Sequence, residues 1–155
     1  MNEYPPIEDH GLVGDLKTCA LVSLDGTVDW CPFPGVESPS VFAGILDAER
    51  GGHFTVAPEE EEFDAEQAYI DRTNVLQTTF TTGRGEIRLT DFMVPTKGDI
   101  GADGERALYR KVEGRDGTVP IDMAFRPQFD YGRAETTITA RDESVIATAG
   151  ETTTE

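Results

Sequence analysis

The chain has 155 residues, 37% of them hydrophobic, with 30 acidic against 13 basic side chains and a net charge of −17. One domain of this size buries about two-thirds of its unfolded surface. A surface this acidic, with no basic stripe to neutralise phosphates, excludes nucleic acid and anionic membrane as partners. Only Lys17, Lys97 and Lys111 are lysines, and the other basic residues are arginines. Acid enrichment together with lysine scarcity is the composition expected of a protein adapted to a high-salt cytoplasm, where ions screen the self-repulsion of the compact state. The opening residues MNEYPPIEDHG lack the cationic and apolar regions of an export signal. No run of about 18 apolar residues is long enough to span a bilayer, so the expected location is cytoplasmic.

Taken in chain order, residues 16–23 and 27–31 predict a first β-hairpin with Asp25 and Gly26 as its turn. Cys19 and Cys31 flank that turn, and two registers are open. A two-residue loop sets Cys19 opposite Pro32, with the thiols on opposite faces. A type I turn with Gly26 in a bulge sets Cys19 opposite Cys31, within bridging reach. A reducing cytoplasm favours free, partly buried thiols in either case. Pro32, Pro34 and Pro39 break any ladder and predict a loop over residues 31–40. Residues 41–46 predict one helical turn, capped by Ser38 or Ser40, with Phe42 and Leu46 four apart. Residues 47–52 turn back, residues 52–57 resume a strand, and the like-charge block of residues 59–62 with Asp64 reads as a solvated loop.

Beyond this block, runs rich in threonine and β-branched residues predict strands over 73–82, 86–92, 107–112, 119–126, 136–140 and 144–148. Gly83, Arg84 and Gly85 turn the first of these into the second, and the glycine-rich stretch 98–104 predicts a mobile connection. Strands at this spacing, with turn signals between them, predict an all-β fold: a sandwich of antiparallel strands. Neither glycine-rich stretch has the strand-and-helix context of a phosphate cradle. No histidine cluster accompanies the cysteines, so neither a metal nor another cofactor is expected.

Several blocks carry a family likeness. The first is the run YPPIEDHGLVGDLKTCALVSLDGTVDWCPFPGVESPSVF over residues 4–42. After it come Tyr69, Asp71, Thr73, Asn74, Val75 and Leu76; then Thr90, Asp91, Phe92 and Met93; then Arg110, Val112, Glu113 and Gly114; and finally Asp130, Tyr131, Gly132 and Arg133. In this order they resemble the N-terminal domain of the prokaryotic family 15 glycoside hydrolases, the glucoamylase- and trehalase-like enzymes. The resemblance implies a supersandwich-like β-domain that precedes a catalytic (α/α) helical barrel. A chain of 155 residues is too short to hold that barrel. The expectation is therefore a single non-catalytic N-terminal domain over residues 1–155, or its first two-thirds, truncated or separately encoded and incomplete at its C-terminal end. Its expected partner is the barrel, in cis or in trans. Where the family often has Pro-Arg-Phe-Asp-Ser-Pro, this chain has Pro34-Gly35-Val36-Glu37-Ser38-Pro39, without the arginine and the ring.

Glycoside hydrolysis in most families uses a carboxyl pair at a fixed separation. Asp25 and Asp29 form such a pair on paper, but Asp25 is explained by the turn and Asp29 by a backbone partner, so no catalytic residue is assigned. The resemblance implies that the catalytic glutamates lie in the barrel. Trp30 stands beside the proline-rich loop, where it could stack on a sugar or pack in the core or at the barrel interface. Together with Pro34, Glu37 and Ser38 it is a candidate for the substrate rim or the barrel interface. His10 and His53 are isolated in the sequence and predict only loop contacts. The alternative reading is an independent β-sandwich module binding carbohydrate or protein, which a row of exposed aromatics on one sheet face would favour. Unpaired edges at strands 119–126 and 144–148 predict homo-oligomers of the isolated chain.

Overall fold

A computed structural model of the chain describes residues 4–95 and 106–150. In chain order the strands are β1 His10–Gly14, β2 Cys19–Ser23, β3 Thr27–Pro32, β4 Ser40–Phe42, β5 His53–Pro58, β6 Asp64–Tyr69, β7 Leu76–Thr82, β8 Gly85–Met93, β9 Leu108–Gly117, β10 Ile121–Arg126, β11 Thr136–Arg141 and β12 Ser144–Ala149. A single 3-10 turn, Ile7–Asp9, precedes them. A four-residue helical turn, Phe129–Gly132, holds Asp130 and Tyr131 at positive φ. All pairings are antiparallel. One sheet runs β1-β2-β3-β5-β10 with β4 beside β3, a second runs β6-β7-β8-β9, and β11 and β12 form a separate hairpin.

The two larger sheets face one another, as alternation along the strands requires. On β7, Leu76, Thr78 and Phe80 are buried, and on β8 Ile87, Leu89, Asp91 and Met93 are buried. Val13, Val22 and Val28 of the first sheet pack with Leu76 and Met93 of the second. Val56 packs in the same way with Phe80, Ile87 and Leu89. Phe54 and Phe125 meet edge to face at 5.3 Å, and Phe42 meets Phe125 at 5.9 Å, the arrangement that aromatic quadrupoles prefer. At Gly11 the backbone of β1 comes so close to Leu76 that a Cβ would overlap that side chain.

The Asp25–Gly26 hairpin forms as a type I turn. The Gly26 amide donates to the Ser23 carbonyl (2.9 Å), and Gly26 takes a positive φ of 83°, open to glycine without a Cβ penalty. Val22 pairs with Val28, the bulged register, but the pairing slips at Leu21, which lies opposite Trp30. Extending that slip sets Cys19 opposite Pro32. Each of the two open registers therefore holds over one part of the hairpin. Both cysteines are free. Burial pushes the Cys31 thiol up to about 12, with Cys19 and Asp15 adding to the rise.

Some sequence expectations are corrected. The turn expected over residues 41–46 starts later: Val41 and Phe42 end β4, with Phe42 in the core, and the Ala43 carbonyl accepts from the Leu46 (2.9 Å) and Asp47 (3.2 Å) amides, leaving Leu46 exposed. Ser40 caps nothing, accepting instead from the Cys31 amide (3.3 Å) and donating to the Phe42 carbonyl. The predicted loop is shorter than residues 31–40, because Cys31 and Pro32 belong to β3 and Ser40 belongs to β4. Asp64 opens β6 rather than closing a loop. The stretch 98–104 lies outside the described residues.

The sheets are joined across the core by an ion pair. Asp91 on β8 and Arg110 on β9 are register partners, with side chains 0% and 3% exposed. Arg110 Nε donates to Asp91 Oδ1 (2.8 Å) and Nη2 to Oδ2 (3.3 Å). Nη1 reaches the Phe54 carbonyl (2.6 Å) and Nη2 the Gly26 carbonyl (2.7 Å), both in the opposite sheet. The guanidinium also lies 4.9 Å above the Phe54 ring, a cation–π geometry. Burial raises the Asp91 carboxyl above its ordinary value, and the Arg110 contacts oppose that rise. Asp91→Ala is expected to cost about 3–5 kcal/mol, because it strands a buried guanidinium. Replacing both residues by leucine is expected to leave the protein destabilised, because the Gly26 and Phe54 carbonyls each lose the donor that reaches them from the facing sheet. Urea unfolding in molar KCl measures both, and a double variant as stable as the parent would refute the bridging role.

Candidate functional site

Trp30 stands half-buried on β3. Its ring lies 6.2 Å from that of Tyr131, and the Arg133 guanidinium lies 5.5 Å over the other ring. Arg133 is held in turn by Asp130 (2.6 Å). Two blocks far apart in the sequence therefore meet at one end of the sandwich, and the left-handed conformation of Asp130 and Tyr131 directs the second ring there.

The proline-rich loop folds on itself. The Ser38 amide donates to the Gly35 carbonyl (2.9 Å), and the Gly35 amide donates back to Ser38 Oγ (3.2 Å). The Val36 amide ties the loop to the Lys17 carbonyl (2.9 Å). Pro34 and Glu37 are exposed and Ser38 is half-buried. Among the described residues no hydrogen bond or ring contact links Trp30 with Pro34, Glu37 or Ser38, so the four do not converge on one point. Ser38 is committed to its own turn, while Pro34 and Glu37 are free on the surface.

Asp25 has the role its position suggests. Its Oδ1 accepts from the Thr27 amide (3.0 Å) and from the Ser23 hydroxyl. Asp29 is different. It is buried on β3, and its Oδ2 meets His10 Nε2 at 2.8 Å. His10 Nδ1 lies 2.9 Å from the Pro6 carbonyl. His10 is therefore not isolated, and it clips the N-terminal arm to the sheet. Burial pushes the Asp29 carboxyl up, and the His10 contact works against that rise. Both nitrogens of His10 are occupied, so the pair cannot serve as a general base without giving up a structural bond. Among the described residues, no group of three or more His, Cys, Asp or Glu side chains could hold a metal ion.

Read from the sequence, Asp91, Arg110 and Tyr131 have no structural role, and His10 has only loop contacts. A signal did exist for the first two: each interrupts an otherwise inward-facing apolar alternation, at Leu89-Asp91-Met93 and Leu108-Arg110-Val112. None existed for His10, whose partner is 19 residues away on another strand.

Comparison with known proteins now bears on these features. No solved structure matches the chain. It is 36% identical over 132 residues to "Trehalase" of Thermoplasma volcanium, covering 84% of this chain and 21% of that protein. It is 35% identical over 150 residues to "Trehalase" of Mycolicibacterium smegmatis, covering 88% and 22% respectively. "Trehalase 1" of Sulfolobus acidocaldarius is 34% identical over 135 residues, with 87% and 22% covered. The chain thus spans about a fifth of the length of these relatives. A family profile described as "Trehalase-like, N-terminal" matches residues 2–153, and the chain belongs to that family of trehalase-like N-terminal domains.

Proposed function

We propose that the chain is the non-catalytic N-terminal sandwich of an α-glucoside hydrolase of the family 15 type, a glucoamylase or trehalase, and that it supports a helical-barrel catalytic domain supplied in cis or in trans. The observation that carries this reading is the family match over residues 2–153, set against relatives about four times as long. The surface described above supports it. Pro34 and Glu37 on the exposed loop, Ser38 within it and the half-buried Trp30 are the residues proposed to meet the barrel or the rim of its active site. The stacked pair Phe92 and Tyr109, 5.0 Å apart and 12° from parallel, turns its ring faces on one another. Such a pair offers no flat platform of the kind an independent carbohydrate module would use.

The open flank supports the same reading. β9 and β10 are the edges of their sheets and follow one another in sequence. Ile121, Met123, Ile138 and Val145 are exposed around β10 and the terminal hairpin, Met123 by 65%. Unpaired edges and apolar patches of this kind are covered or charged in finished proteins. Further polypeptide is proposed to cover them. The isolated chain is then expected to associate as its concentration rises in molar KCl, and light scattering reading a 16.9 kDa monomer at every concentration would count against this part of the reading.

Two further outcomes follow. The purified chain should not hydrolyse trehalose, maltose or starch, and turnover above a buffer blank that disappears in Asp25→Asn or Asp29→Asn would overturn the non-catalytic assignment. The proposed salt-adapted, cytoplasmic setting rests on the net charge of −17. Screening over about 3 Å at 1 M ionic strength should relieve the repulsion. The melting temperature should therefore rise from dilute buffer to molar KCl, and a flat or falling curve would remove salt adaptation.

A further inference from the structure

A cleft of about 280 Å3 opens on the outer face of the six-stranded sheet, near the small end of the range of about 300–1,000 Å3 typical of ligand sites. Its floor is made by Thr27 and Asp29 of β3 with His53 and Thr55 of β5, which alternate with the core-facing Val28, Phe54 and Val56. Tyr4 and Pro5 line one side, and Gly44 and Ala48 line the other. The Ala48 amide donates to the Tyr4 hydroxyl (3.3 Å), tying the two sides together.

The chemistry of the floor is specific. The Thr27 and Thr55 hydroxyls satisfy one another at 2.8 Å. Asp29 has a side chain only 8% exposed, and its buried Oδ1 has no hydrogen-bond partner. A buried acceptor left without a donor costs about 1–3 kcal/mol. His53 makes no hydrogen bond among the described residues, and neither does Asp25 Oδ2. Burial holds the His53 imidazole below its ordinary value, with Arg126 adding to the effect. At neutral pH it therefore presents one donor and one acceptor.

What Asp29 asks of a ligand follows from its proton. The Pro6 carbonyl can only accept, so His10 Nδ1 carries a proton. A further single proton must lie between His10 Nε2 and Asp29 Oδ2. Whichever atom holds it, the pair is neutral as a whole and Oδ1 is an acceptor. Asp29 therefore calls for a hydrogen-bond donor rather than a counter-charge, and the charge at the cleft is that of the Asp25 carboxylate beside it. We infer that this cleft is a subsite for one neutral polyhydroxylated ring, such as a single sugar unit. One ligand hydroxyl donates to Asp29 Oδ1, a neighbouring hydroxyl engages Asp25 and His53, and the C–H face of the ring rests on Tyr4. Oδ1 is sealed beneath the floor, so the first hydroxyl reaches it only as the floor opens around the Asp29 side chain.

The subsite belongs to this chain alone, so its test is independent of any barrel. Glucose is titrated into the 15N-labelled chain in molar KCl at pH 7, with MgCl2 and methylammonium as separate arms. The expected result is saturable glucose binding at about millimolar Kd, with shifts centred on residues 23–29 and 53–55. Tyr4→Ala, His53→Ala and Asp29→Asn should each weaken binding by about tenfold or more. Tyr4→Ala gives up one exposed hydrogen bond to the Ala48 amide and His53→Ala removes a ring that makes none, so both should fold with a melting temperature close to the parent's, and the test holds even if the Asp29 variant does not fold. The inference is overturned if glucose gives no saturable shift, if the shifts fall elsewhere, if Tyr4→Ala and His53→Ala leave binding unchanged, or if only Mg2+ or methylammonium binds.

Discussion

A buried guanidinium cannot be left short of acceptors, and the sandwich is arranged around that requirement. Arg110 stands on the inward face of its strand, where apolar side chains are the rule, and its charge is met by Asp91 next to it. A pair of this kind, closed within one sheet, would contribute little, because desolvation cancels much of the attraction. Here the remaining donors cross the core to main-chain carbonyls of the facing sheet, at Gly26 and Phe54. The pair therefore fixes how one sheet sits on the other, which apolar packing alone specifies poorly. Valine and leucine contacts tolerate sliding, whereas a planar fork with fixed acceptors does not.

The same logic of a charge placed to hold backbone recurs at two other points. Asp15 accepts from the Lys17 and Thr18 amides (2.9 and 2.8 Å) and pairs with Arg106 (3.2 Å), closing the turn between β1 and β2. Burial works against its ionised form, and the Thr18 and Lys17 amides together with Arg106 outweigh that, leaving the carboxyl below its ordinary value. His10 and Asp29 secure the N-terminal arm. In a chain with so many surface carboxylates, the buried Asp15, Asp29 and Asp91 each meet a specific donor. Surface carboxylates set how the protein responds to ions, while the buried ones set its shape.

How much of this was legible in the sequence depended on how local the cause was. The Asp25–Gly26 turn is decided by neighbouring residues and was readable, as were β7 and β8, whose threonine-rich alternation matches the pleat. β6, with the sequence DAEQAY, has the composition of a solvated loop and becomes a strand only because β7 pairs with it along its whole length. β4 is three residues long and is defined by its partner β3. The turn expected over residues 41–46 begins only at Ala43, because Phe42 is drawn into β4, and the helical spacing of Phe42 and Leu46 is a coincidence that burial of only the first exposes. The family likeness singled out Asp91, Arg110, Tyr131 and Arg133 without giving their reasons. Those reasons are contacts between distant strands. Trp30 and Glu37 were nameable in advance as candidates, yet their lack of mutual contact was not, because the folding of residues 33–39 back onto Lys17 is a tertiary event.

The Gly26 carbonyl accepts from the Val56 amide at 3.1 Å and from Arg110, which is 84 residues further along the chain. The tip of the β2–β3 hairpin is thus fastened by groups made later. During synthesis that hairpin emerges with its turn formed and its outer carbonyl still facing water, and it is secured only after most of the protein has left the ribosome. Loop closure over such separations is slow compared with local pairing. The order in which the chain appears and the order in which it becomes rigid are therefore different, and assembly waits on β9.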